Sequence, residues 1–160
     1  MLRASTIIIS LVWIAHFAAV SGAQSAISIR VRGVAVGSTE KQVVKRFGRT
    51  DVRKGGTFPC DIEGEMRTMK YPGLEFRLIE SMAKRGERIV AMIVVSSRKW
   101  SVGGIRIGAT PAMVRKRFGK ARWESMDGRR YLSYFIDDGS GRFFFRRGKL
   151  VRIESELNAC

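Results

Sequence analysis

The segments Gly33-Val34-Ala35-Val36-Gly37-Ser38-Thr39-Glu40-Lys41-Gln42-Val43-Val44-Lys45-Arg46-Phe47-Gly48 and Gly104-Ile105-Arg106-Ile107-Gly108-Ala109-Thr110-Pro111-Ala112-Met113-Val114-Arg115-Lys116-Arg117-Phe118-Gly119 align without a gap. Gly33, Gly37, Thr39, Val43, Lys45, Arg46, Phe47 and Gly48 of the first recur at the matching places of the second. Agreement of that density marks an internal repeat. The chain therefore reads as a tandem duplication, with residues 24–100 as one copy and 101–160 as the other.

Each copy has a physical logic. The alternating runs Ile29–Val36 and Ser101–Ile107 predict a short strand or an extended lead-in. Thr39 and Thr110 are good N-caps, Gln42 completes a capping box with Thr39, and Pro111 suits the first helical position. Val43 and Phe47, like Val114 and Phe118, share one helix face. Gly48 and Gly119 then end helices of about three turns. Strands are predicted over Met66–Tyr71, Leu74–Glu80 and Arg88–Ser96, then over Arg130–Ile136, Arg142–Arg146 and Leu150–Glu156. Pro72-Gly73, Asp137-Asp138-Gly139 and Arg147-Gly148 mark turns between them. The expected class is α+β: two tandem helix-plus-antiparallel-meander repeats forming a two-layer sandwich with one open, curved sheet face.

Residues upstream of the repeats read as a secretory leader. Arg3 supplies a positive start, an apolar run extends from Ile7 to Val20, and Ser21-Gly22-Ala23 offers small residues for cleavage before Gln24. An uncleaved anchor is the competing reading, but this run falls short of the ~20 residues a spanning helix needs. Export with cleavage near Ala23, to the periplasm or outside the cell, removes His16, the single histidine. An oxidising compartment favours a structural disulfide between Cys60 and Cys160, worth up to ~4.7 kcal/mol in the chain-entropy model. Free thiols or an intermolecular bond remain alternatives.

The pattern Gly-x-Thr-x-x-x-Val-x-x-x-Phe-Gly, with a meander ending in Gly148-Lys149-Leu150-Val151-Arg152-Ile153, resembles the BamE (SmpA/OmlA) type of bacterial envelope proteins. The tandem arrangement is similar to the β-lactamase-inhibitor-protein-like fold, in which two such units build one continuous curved sheet. That resemblance implies a non-enzymatic protein-binding module of the cell envelope that holds a partner on its sheet. The matching positions are fold-forming, so no catalytic residue follows from them. BamE proteins are single-unit lipoproteins, whereas no cysteine follows the apolar run here.

Composition narrows the chemistry. Without histidine, Ser-His-Asp and Cys-His arrangements fall away, as do histidine-based zinc sites. No catalytic residue, metal site or small-molecule cofactor is expected. Lys and Arg number 30 against 14 Asp and Glu, a net charge of +16. Such an excess draws anionic partners. Export argues against nucleic acid and for an anionic protein or envelope component, with peripheral contact to a membrane surface as a further possibility. Alternation places Phe144 on the open face between Arg142 and Arg146, with Tyr131, Arg77 and Arg152 on neighbouring strands. Aromatic residues and arginine are favoured at interfaces, so these six form the candidate binding surface, serving an inhibitor or an envelope-assembly accessory. The alternatives are an electrostatic lipid or lipopolysaccharide binder and a histidine-independent envelope hydrolase.

Overall fold

The distance between each capping threonine and the glycine that follows sets the helix length. Thr39 caps α1 (Glu40–Phe47): its hydroxyl oxygen accepts from the Gln42 N–H at 3.3 Å, and Gln42 Oε1 accepts from the Thr39 N–H at 2.8 Å. Gly48, at φ +83°, donates its N–H to the Val44 carbonyl at 2.9 Å and ends the helix. Thr110 caps α2 (Pro111–Phe118) through its hydroxyl oxygen alone, which accepts from the Met113 N–H at 3.3 Å, with Pro111 at the helix start and Gly119 at its end. Each helix has 8 residues, so about two turns replace the three expected from sequence.

The computed structural model describes residues 27–56, 65–136 and 139–158. The expected leader and its cleavage site, Cys60, Cys160 and the Asp137-Asp138 turn lie outside the described residues. Eight strands follow the helices: β1 (Val52–Lys54), β2 (Arg67–Tyr71), β3 (Leu74–Glu80) and β4 (Arg88–Val95), then β5 (Arg122–Met126), β6 (Arg129–Ile136), β7 (Gly139–Arg146) and β8 (Lys149–Leu157). They form one open antiparallel sheet in the order β1-β2-β3-β4-β8-β7-β6-β5. The class is thus α+β, two helices with a single eight-stranded sheet. β4 and β8 meet at its centre, Met92 opposite Glu156 and Val95 opposite Ile153. β1 and β5 are its edges, and sequence analysis placed no strand at either.

The lead-in segments close as tight turns. Val31 and Val34 exchange both backbone hydrogen bonds, at 2.9 and 3.0 Å, around Arg32-Gly33, where both φ values are positive. Val102 and Ile105 do the same at 2.9 Å around Gly103-Gly104. Left-handed backbone at two consecutive positions explains the repeated glycines. The chain then clamps onto the sheet. Gly37 donates to the Val90 carbonyl and Val90 to the Ser38 carbonyl, both at 2.8 Å; Gly108 donates to Leu150 at 2.7 Å and Leu150 to Ala109 at 2.8 Å.

One sheet face packs beneath the helices. Val43 and Val114, both fully buried, stand over Phe76, Ile93, Leu132 and Phe143. The Phe47 ring lies 5.5 Å from Tyr71 and 5.0 Å from Phe76, and Phe118 lies 5.9 Å from Tyr134 and 5.2 Å from Phe143. Gly141 admits Ile29 into this layer, since a Cβ there would collide with Ile29 Cδ1. A smaller apolar cluster of Ile79, Ala91, Met92 and Val94 lies on the opposite face, around the bulge in β3 and β4.

Candidate functional site

Strand register decides which side chains share the face away from the helices. Directly paired residues point the same way. One row across the sheet runs Lys70, Glu75, Val94, Glu154, Arg142, Ser133 and Arg122. A second runs Thr68, Arg77, Met92, Glu156, Ser140 and Phe135. A third, over the later strands, runs Arg152, Phe144, Tyr131 and Glu124.

Five of the six residues singled out from sequence stand in these rows. The sixth, Arg146, sits at the exposed end of β7 opposite Lys149, with no carboxylate of a described residue within 4.0 Å. Arg142, Arg152, Phe144 and Tyr131 form one group. Arg77 is three strands from Phe144, roughly 14 Å at ordinary strand spacing, and belongs to a separate cluster.

The aromatic pair is buried rather than displayed. Phe144 is 5% and Tyr131 7% exposed, their ring centroids 5.0 Å apart. The Tyr131 hydroxyl donates to Glu124 Oε2 at 2.8 Å. Burial, and then that neighbouring carboxylate, push the Tyr131 phenol above its usual range. The projecting aromatic of this face is Phe135, 88% exposed at the far end of β6.

Carboxylates temper the arginines. Arg142 is held by Glu156 and, at 3.5 Å, by Glu154, all three side chains being mostly buried. Arg152 Nε donates to Glu154 Oε1 at 2.6 Å, and Arg77 Nε to Glu75 Oε1 at 2.8 Å. Lys70 reaches Glu75 at 3.5 Å. Burial alone would raise the Glu75 carboxyl; Arg77 and Lys70 outweigh it and hold the group below the ordinary carboxylate range. Among the described residues, no acceptor engages the terminal nitrogens of Arg77 or Arg152. A third of each of these two side chains is exposed.

Glu124, Glu154 and Glu156 were absent from the sequence-derived surface. The alternation of β8, Arg152-Ile153-Glu154-Ser155-Glu156, carried the signal for two of them. Among the described residues, no group of three His, Cys, Asp or Glu could hold a metal ion, and no helix is long and apolar enough to cross a membrane.

No family model and no curated protein matches the chain. Two solved structures do. One is an extracellular protein containing a SCP domain from Bacillus anthracis, at 15% identity and a TM-score of 0.50, covering 77% of this chain and 44% of that one. The other is a DUF4309 family protein, YjgB, from Bacillus subtilis, at 14% identity and a TM-score of 0.46, covering 79% of this chain and 84% of that one. This chain thus spans less than half the length of the first, and the likeness concerns fold alone.

Proposed function

We propose that the chain is an exported, non-enzymatic binding module that engages an anionic protein of its compartment through the sheet face opposite the helices. The observation that carries this reading is the pair of half-satisfied guanidinium groups, Arg77 on β3 and Arg152 on β8. Each is positioned by a carboxylate two residues away on its own strand, and its terminal nitrogens meet no acceptor among the described residues. Phe135 gives the same face an exposed apolar anchor. The high positive charge steers an anionic partner toward the molecule, and the face then fixes its orientation.

The repeated caps, lead-in turns and sheet clamps support an ancestral duplication. The extracellular protein of similar fold is consistent with export.

The test is a pull-down from envelope extract with the wild-type chain and with Arg77→Ala, Arg152→Ala and Phe135→Ala variants. A protein retained by wild type at moderate salt and lost from the face variants supports the reading. Retention by all variants, or loss of every bound protein on a modest rise in ionic strength, overturns it and favours purely electrostatic capture of lipid or lipopolysaccharide. Turnover of an envelope substrate by the pure chain overturns the non-enzymatic part.

A further inference from the structure

The two halves differ in the space beside their helices. In the second half an aromatic ring occupies this space. Trp123, paired to Leu132, packs 5.5 Å from Phe145, and its ring lies under Arg130 at 4.7 Å and Arg115 at 5.6 Å. In the first half the corresponding positions are smaller. Val52, paired to Met69, stands where Trp123 does, and Val44, five residues after its capping threonine, stands where Arg115 does.

The adjoining connection differs too. β7 and β8 are joined by Arg147-Gly148 alone, whereas residues 81–87 join β3 to β4. This longer loop brings Lys84 and Arg85 to face α1 across a groove of about 810 Å³. Its floor is apolar, from Val44, Val52 and Met69. Its rim carries Lys41, Lys45, Arg49, Lys84, Arg85 and Arg88 against two carboxylates, Glu40 and Glu87. One of those carboxylates is already engaged, Glu87 by Lys84 at 3.4 Å.

We infer that this groove is a binding site for a small organic polyanion: phosphate, sulfonate or carboxylate groups held by the rim, and an apolar body seated on the floor. The volume matches sites for small molecules. Cations reach it from two stretches of the chain, residues 41–49 and 84–88, so two well-separated negative groups can be held at once. A bare inorganic anion leaves the floor wet, and an uncharged apolar compound leaves five of the six cations without a carboxylate among the described residues. Both features point to one ligand class. The site lies on the helix side of the sheet and is independent of the docking face proposed above.

The probes are naphthalene disulfonate and inorganic pyrophosphate, titrated calorimetrically into the purified chain. Naphthalene disulfonate is expected to bind about tenfold more tightly, through the floor. Lys45→Glu with Lys84→Glu, both at exposed positions, should weaken both probes about tenfold or more. Val44→Arg with Val52→Trp gives the first half the filling that the second half already tolerates. It should abolish binding while leaving the circular dichroism spectrum and thermal midpoint in place. Undiminished binding by that folded variant overturns the site, as does failure of both probes to bind wild type. Equal affinity for the two probes overturns the assignment of an apolar-bodied ligand. Variants of Arg77, Arg152 and Phe135 should leave these titrations unchanged, which separates this site from the sheet face.

Discussion

The Tyr71 hydroxyl donates to the carbonyl of Gly48, the residue that ends α1, at 2.8 Å. Tyr134 makes the matching bond to Gly119 at 3.2 Å. Each tyrosine thus ties the end of a helix to a strand of its own half and satisfies a carbonyl the helix leaves over. Tyr71→Phe and Tyr134→Phe should each cost about 1 kcal/mol in urea unfolding. No measurable loss in either variant would show that water serves these carbonyls equally well.

The aromatic layer under the helices predicts a graded response to truncation. Phe76 and Phe143 are fully buried, whereas Phe47 and Phe118 are half-buried. Phe76→Ala and Phe143→Ala should each cost roughly 3–5 kcal/mol, and Phe47→Ala and Phe118→Ala less. Equal costs across the four, measured by chemical denaturation, would contradict the burial order.

Arg142 sits between Glu154 and Glu156 on the neighbouring strand, and all three side chains are largely buried. Arg142→Ala leaves two carboxylates close together with one guanidinium, that of Arg152, to answer them. Destabilisation of about 3 kcal/mol is expected, as when one partner of a buried pair is removed. Arg146→Ala, at the exposed end of the same strand, should leave the unfolding midpoint where it is. Similar midpoints for the two variants would show that the pairing adds little.

The pH response has two ends. Glu75 is held below the ordinary carboxylate value, so its contribution is complete above about 4.3 and is lost as pH falls through its folded value. All three tyrosines of the chain are raised: Tyr71 and Tyr134 by burial, Tyr131 by burial and Glu124. Their contribution is present below the unfolded value of about 10 and disappears as pH rises through the folded values. Phenolate absorbance should therefore appear only above pH ~10, together with loss of the strand signal in circular dichroism. Ordinary tyrosine titration in a chain that stays folded would refute the burial of these phenols.

Much of this architecture was legible because local signals agreed with one another. Thr39, Gln42 and Gly48 fix α1, and Thr110, Pro111 and Gly119 fix α2. Six strands show apolar alternation or apolar runs and fall within a few residues of their expected limits. β1 and β5 escaped because every residue in both is exposed, so neither has a buried face to imprint a period of two. For β5 the signal was Asp127-Gly128, a two-residue turn with both φ values positive. The surface on the sheet was half legible. Alternation put Phe144 and Tyr131 on the correct face, but their mutual stacking and the glutamates between the arginines depend on register across five strands. The groove depends on what Trp123 and Arg115 fill in the other half, and no single stretch of sequence displays that difference.

Placing β4 and β8 side by side at the centre has a cost during synthesis. β4, Arg-Ile-Val-Ala-Met-Ile-Val-Val, is the most apolar of the described strands, and its outer edge is covered by β8, which is made some fifty residues later. Until that strand arrives, a nascent chain carries an uncapped, aggregation-prone ribbon. Once it docks, the borders of the described sheet are short strands carrying Arg53, Lys54 and Arg122, charges of the kind that disfavour edge-to-edge pairing. The same sheet thus carries charge at its two borders and, at its centre, an apolar strand that stays uncovered until β8 is made.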